Sequence, residues 1–349
     1  MAERLLIREA TNGDREYLNA FVAADQKATL FHDPRWLDAV EKTYGYQCRS
    51  MIAERGGAIV GYLPLTLVSA PLLGRSLIST AFSVGGGVLG GDTIICAALA
   101  DAAVEIGRRE NVRYVEFRGG DAPIDGWSKK EGVYASFSKD LPADIGALKS
   151  WLPRNRRAEV KKALRIEASA EYLFSPQGDV DGFYAVFSGA VKRLGTPVMP
   201  RKFLYALKEL FGEDAEISLV LRDGAPVAGL FSFWRGDRVL PYFIGGTKEA
   251  REIRAYDYLY FKLMQRAIER GVRRFDFGRS KVGSSHFNTK KYWGFEPAPL
   301  TYHVRLVSGR ELPNLNPNNP KFSMVSRLWT FLPTPIANIA GPVLARNFA

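Results

Sequence analysis

Ser50-Met-Ile-Ala-Glu-Arg-Gly-Gly-Ala-Ile-Val-Gly61 and Ser218-Leu-Val-Leu-Arg-Asp-Gly-Ala-Pro-Val-Ala-Gly229 share one pattern, 168 residues apart. Each is an apolar run, a glycine-containing turn and a second apolar run, which predicts a β-hairpin. The return strands continue as Tyr62-Leu-Pro-Leu65 and Leu230-Phe-Ser-Phe233. Farther on, Glu110-Asn-Val-Arg-Tyr-Val-Glu-Phe117 matches Arg270-Gly-Val-Arg-Arg-Phe-Asp-Phe277 at an offset of 160. A helix is predicted before each of these strands, Ile94 to Arg109 and Tyr256 to Arg270. Two matched blocks in the same order make coincidence the poorer account, and repeats decide architecture. The expectation is α+β: two tandem domains, each a mixed, mainly antiparallel sheet flanked by helices.

The copies are placed at 1–150 and 171–310, with a connecting helix at 151–170 and a Pro-rich tail at 311–349. The connection begins Trp151-Leu-Pro-Arg-Asn-Arg-Arg-Ala-Glu-Val-Lys-Lys-Ala-Leu-Arg165, six basic residues against one acid. Arg154, Arg157, Lys161 and Arg165 fall on one stripe of a helix, where like charges repel unless an anion lies nearby. A solvated surface face is the plainer account of such a run. The whole chain of 349 residues carries 48 Lys+Arg and 37 Asp+Glu, a net +11. Residues 1–150 are net −2 and residues 151–349 net +13. The excess therefore belongs to the connection and the second copy, and points to an anionic, phosphate-bearing partner there.

Cys48 and Cys96 make no disulfide framework, and His32, His286 and His303 are too dispersed for a metal site, so no metal is expected. The first residues lack an apolar leader core and no uncharged apolar run approaches membrane-spanning length, so a cytoplasmic location is expected. The tail carries Trp329, Phe331, Leu332, Ile336 and Ile339 among prolines, with Arg327 and Arg346 alongside. Packing on the body is its expected fate; peripheral contact with the inner face of the cell membrane is the alternative. Neither a helix-turn-helix nor an RNA-binding signature is present, so DNA is not expected as a partner.

Gly85-Gly-Gly-Val-Leu-Gly90 contains G-x-G-x-x-G but not the strand–turn–helix context of a dinucleotide site, and a glycine bulge is the better account. Gly278-Arg-Ser-Lys-Val-Gly283 misses the nucleophile-elbow spacing by one residue. More informative is Arg274-Phe-Asp-Phe-Gly-Arg-Ser-Lys-Val-Gly-Ser-Ser-His-Phe-Asn-Thr-Lys-Lys-Tyr-Trp-Gly-Phe-Glu-Pro-Ala-Pro-Leu-Thr-Tyr302. Alternation puts Phe275 and Phe277 on one face and Asp276 on the other, where the carboxylate needs a partner such as Arg279 or Lys290. Glu116 holds the matching place in the first copy, so a shared structural role is the competing account. Lys290-Lys291 followed by Tyr292-Trp293-Gly294 sets cations beside aromatics on a loop past the strand. That suits stabilisation of a developing oxyanion; cation–π packing is the structural alternative.

Two such halves around a basic helix, with Phe-Asp-Phe-Gly-Arg-Ser280 and Thr289-Lys-Lys-Tyr-Trp-Gly-Phe-Glu-Pro297, resemble the FemAB-like branch of the GNAT acyltransferase superfamily. The Pro-rich ending from Leu312 resembles that of FemAB-like proteins associated with exosortase/PEP-CTERM and exopolysaccharide systems. Thr289 stands where the family pattern has Phe, while Lys290 keeps the Lys. The resemblance implies two GNAT-like domains and an N-acyltransferase with no intrinsic cofactor. Its co-substrate would be acyl-CoA or aminoacyl-tRNA, and its acceptor an amine on a phosphate-bearing small molecule or a lipid-linked saccharide of the envelope. It implies Lys290 as the transition-state stabiliser. Asp276 and Tyr302 are candidates for proton handling, and Arg154, Arg157, Lys161, Arg254, Arg279 and Trp293 for phosphate or substrate binding. The acetyl-CoA pyrophosphate motif is replaced by Gly245-Gly-Thr-Lys-Glu-Ala-Arg-Glu-Ile-Arg-Ala-Tyr-Asp257. A degenerate, non-catalytic adaptor of the same fold in polysaccharide assembly or protein sorting is the rival expectation.

Overall fold

At the tip of the first hairpin Gly56 and Gly57 both take left-handed φ, +58° and +78°; at the second, Asp223 and Gly224 do so, at +50° and +77°. Two successive positive φ values make the turn whose twist matches that of the strands it joins. The computed structural model describes residues 3–70, 74–120, 126–308 and 320–348, the side chains of 320–325 and 348 excepted. The Pro-rich connection at 311–319 lies outside the described residues.

In chain order the elements begin β1 (Leu6–Glu9), α1 (Arg15–Ala24), α2 (Pro34–Tyr44), β2 (Gln47–Arg55), β3 (Ala58–Ala70), β4 (Gly74–Ile78), α3 (Thr93–Arg109) and β5 (Tyr114–Arg118). Next come β6 (Ser128–Asp140), α4 (Ile145–Trp151), α5 (Arg154–Ala163), α6 (Arg165–Ala168), β7 (Tyr172–Ser175), α7 (Val180–Arg193) and α8 (Arg201–Phe211). The chain then forms β8 (Ala215–Arg222), β9 (Ala225–Arg235), β10 (Arg238–Gly246), α9 (Glu249–Glu252), α10 (Ala255–Glu269), β11 (Arg274–Lys281) and α11 (Ser285–Tyr292). It ends with β12 (Ala298–Leu306), α12 (Pro320–Phe331) and α13 (Thr334–Ala345).

Two compact units result. In the first, the sheet order is β1-β2-β3-β4-β5-β12, antiparallel except between β4 and β5. In the second it is β6-β11-β10-β9-β8-β7, antiparallel except between β10 and β11. The mixed α+β architecture and its repetition are as the sequence predicts. The unit boundaries fall elsewhere than at 150 and 171. The second unit takes Val133–Pro299 and Pro317–Val343, so β6 from Val133 on falls with it, while β12 from Leu300 on belongs to the first. Each copy's last strand thus pairs in the other copy's unit. The basic connection is also no free link: α5 buries Val160 and Ala163 in the core around α10.

The repeat runs one residue tighter than the matched glycines suggest. Ala53 faces Gly61 and Val220 faces Ala228, an offset of 167, each followed by a bulge. Gly61 lies under α3, where a Cβ would come 2.5 Å from Ile95, and Ala228 lies in the α10 core. Gly229 instead turns to the opposite face, under Phe183 and Val186 of α7. A slip of one exchanges the faces, so packing decides the register where the glycines mislead. The two helices therefore cover opposite sides of the second sheet: α7 the side of Gly229 and Gly245, α10 the side of Ala228 and Leu230.

Candidate active site in the second unit

The parallel strands β10 and β11 pair only at Arg238–Arg274 and Val239–Phe275, then part. Both are bulged where they part: β10 between Pro241 and Phe243, β11 between Asp276 and Gly278. Pro241 has no N–H for a ladder, and Gly278 takes φ +62°, so both bulges are written into the residues. Beyond them the facing edges, Leu240–Gly246 and Asp276–Lys281, have no ladder bonds to each other. In the first unit β4 and β5 also pair at only two positions, but the protein's own chain fills the gap. There Ser79 N–H donates to Glu116 O, Arg118 N–H to Ser79 Oγ and Gly87 N–H to Arg118 O. Among the described residues no backbone enters the β10–β11 divergence in this way.

Lys290 and Asp276 lie at this bulge. Ser284 caps α11 by accepting from the Phe287 N–H, and the helix carries Lys290 back over β11. Lys290 Nζ donates to the carbonyls of Phe277 at 2.6 Å, Arg279 at 2.9 Å and Gly278 at 3.4 Å. Loss of water pushes the half-buried amine down to about 7; Asp276 opposes this and Arg279 adds to it. Three carbonyl acceptors take three ammonium protons, whereas a neutral amine would aim its lone pair at one of the oxygens, so this geometry holds the charged form. Asp276 accepts from Gly278 N–H at 2.7 Å, and burial raises its carboxyl above the usual range against that bond, Arg238 and Lys290. Neither Arg279 nor Lys290 bonds to it directly; the Arg279 guanidinium lies 4.3 Å from the Tyr134 ring centre. Lys290 stands on a helix, not a loop, and its aromatic neighbour is Phe137 of β6, 5.4 Å away.

Trp293, predicted beside it, is 1% exposed and packs on Tyr260 and Phe277, so its place is the core and not a substrate surface. Tyr302 belongs to the first unit. It pairs with Arg118 across β12 and β5, and that guanidinium sits 6.0 Å from its ring. Arg154, Arg157 and Lys161 are exposed along the outer face of α5, as a stripe requires. Arg254 takes a left-handed φ of +63° before α10 and bonds Glu159 at 2.6 Å and Arg251 O at 2.7 Å. It lines a cavity of about 320 Å³ with Lys162, Arg165, Tyr172 and Glu252, separate from Lys290 and Asp276.

Sequence reasoning missed Arg156. It pairs with Asp257 of α10, each 14% exposed, and its guanidinium lies 5.2 Å over Trp293. The signal was present: Arg156, Val160 and Ala163 recur at i, i+4, i+7, the buried stripe opposite the cationic one. Gly294 lies so close to Pro153 that a Cβ there would sit 2.8 Å from Cγ. The start of α5 and the end of α11 are thereby fixed together. No group of three His, Cys, Asp or Glu suited to a metal occurs among the described residues.

Solved structures share this fold. FemX is similar in structure at TM-score 0.66 and 16% identity, over 92% of this chain and 100% of that one. A tandem GNAT protein from the clavulanic acid biosynthesis pathway is similar at TM-score 0.55 and 13% identity, over 88% and 100%. A conserved protein from Bacteroides thetaiotaomicron gives TM-score 0.59 at 12% identity, over 87% and 100%. No curated protein matches in sequence. The fold is that of tandem GNAT proteins, and residues 154–289 match the family model described as an acetyltransferase (GNAT) domain.

Proposed function

We propose that the second unit is an N-acyltransferase. It would move an acyl or aminoacyl group from acyl-CoA or aminoacyl-tRNA to an amine on a cell-envelope or exopolysaccharide-related acceptor. The observation that carries this is the open divergence of β10 and β11. An extended donor could enter between the parted strands, at the place the first copy has closed with its own loop. The acceptor amine attacks the donor carbonyl, the oxyanion collapses with cleavage of the C–S or ester C–O bond, and the departing thiolate or ribose alkoxide takes up the proton the amine gives up; no covalent enzyme intermediate is required. The Lys290 charge would favour that oxyanion, exchange of its longest bond, to Gly278 O, freeing one N–H for it. Arg154, Arg157 and Lys161 would hold phosphates of donor or acceptor.

One observation favours a non-catalytic adaptor instead: all three Lys290 protons are already spent on carbonyls. Native mass spectrometry with acetyl-CoA and with aminoacyl-tRNA, followed by transfer to a soluble amine, separates the readings. Donor binding and transfer that Lys290→Met reduces supports the enzyme; absence of binding to either donor overturns it.

A further inference from the structure

The C-terminal hairpin of α12 and α13 has two unlike faces. Inward, Trp329 is 6% exposed and Ala337 1%. Ser326 Oγ donates to Gly195 O at 2.8 Å, Asn338 reaches Ser188, and Gly341 leaves 3.0 Å between a Cβ and Val198 O. Outward stand Leu328 (64% exposed), Phe331 (79%), Ile336 (51%), Ile339 (77%) and Val343 (61%). Ile336, Ile339 and Val343 are at i, i+3 and i+7, one stripe of α13 opposite its packed side, and Phe331 extends it at the corner between the helices. Packing accounts for one side of these helices and leaves large apolar side chains in water on the other, which soluble surfaces seldom keep without a use.

We propose that this face docks on an anionic lipid surface. From Leu312 to Val343 there is no Asp or Glu, while Lys321 and Arg327 are present; at the chain's average, about three acids would fall there. A second copy of the same face would set like charges together, whereas anionic headgroups complement them. The helix α13, of 12 residues, is about 18 Å long, too short to span a bilayer and suited to lying in its surface. The hairpin packs beside α7, on the side of the sheet opposite α10 and α5. Lipid contact would therefore leave the Arg154, Arg157, Lys161 stripe free for a soluble anion. The inference stands independently of acyl transfer.

The test is co-sedimentation of the full chain with vesicles of phosphatidylcholine containing about 30% phosphatidylglycerol, against phosphatidylcholine alone. Binding is expected to be at least about tenfold stronger to the anionic vesicles and to fall with salt. F331E/I339E, both at exposed positions, should keep the parent melting temperature and lose about tenfold or more in vesicle binding. Equal binding to neutral vesicles, unchanged binding by the double variant, or no binding at all overturns the proposal. So does a dimer by light scattering that the double variant dissociates while vesicles go unbound.

Discussion

Arg156→Met gives the sharpest test of how α5 is held to the second unit. The substitution keeps most of the side chain's length but removes the partner of Asp257, a carboxylate with 14% of its side chain exposed. An uncompensated buried charge costs about 3–5 kcal/mol. The carboxyl can escape part of this by taking up a proton, at about 1.4 kcal/mol per pH unit above its ordinary value. That escape caps the penalty at about 4 kcal/mol at pH 7 and about 1.5 kcal/mol at pH 5. Burial already raises this carboxyl even with Arg156 present, so protonation is within reach. Losing the guanidinium over Trp293 adds about 0.5–2 kcal/mol at either pH. The sign follows from linkage: without Arg156 the folded carboxyl binds its proton more tightly than the unfolded one, so stability falls as pH rises from 5 to 7. Urea unfolding should therefore give a loss of about 3.5–6 kcal/mol at pH 7 and about 2–3.5 kcal/mol at pH 5. R156M/D257L, with both charges gone, should return to within about 1 kcal/mol of the parent. A loss at pH 7 below about 1 kcal/mol, or one that is the same at both pH values, would refute the buried-pair argument.

Other outcomes follow from the same contacts. Lys290→Met should lower transfer about 10²–10³-fold with little change in donor affinity, measured as kcat against KM. If the ammonium is the active form, the parent's rate falls as pH rises through about 7, and a rate that climbs instead would make Lys290 a base. The amine binds its proton less tightly folded than unfolded, so the parent's stability should rise relative to Lys290→Met between about 7 and the ordinary 10.5, read by denaturant midpoints. Replacing Arg154, Arg157 and Lys161 by Gln should flatten the salt dependence of tRNA or phosphate-ligand binding by about two to three in log–log slope, without altering the melting temperature. Gly245→Ala should cost about 1–3 kcal/mol in urea midpoints, because the added Cβ would strike the Phe187 backbone of α7.

The hairpins were legible because strand alternation and the turn residues are local; Gly56 and Asp223-Gly224 announce them within a dozen residues. The exchange of β6 and β12 was not, since Phe137 and Gly278 pair across a separation that no window along the chain spans. Register failed for a narrower reason. Gly61 and Gly229 look equivalent as letters, yet one spares room for α3 and the other for α7. Helix α11 has only eight residues and no apolar stripe, so Lys290 read as a loop residue beside Trp293. The cationic stripe marks only the outer face of α5, and Arg156, one residue from Arg157, faces the other way.

Glu116 and Asp276 show how one inherited position can serve two ends. Both acids stand on the strand parallel to its neighbour, at the point where the pair parts. In the first unit burial would raise the Glu116 carboxyl, but Arg118 and Lys130, each at 3.0 Å, outweigh it and hold the group below the usual range. Arg118 Nη1 also donates to Thr80 O and Ser83 O, which ties the filling loop into the gap. The acid there is part of a plug. In the second unit Asp276 has one backbone amide, its carboxyl is raised, and the nearby cation Lys290 is bonded to strand carbonyls instead of to it. An incompletely neutralised acid and a desolvated amine beside open strand edges are a costly arrangement for stability alone. Where the first copy completes its charge pairing and closes, the second leaves both groups unpaired with each other and the gap open, the division that the proposed function would require.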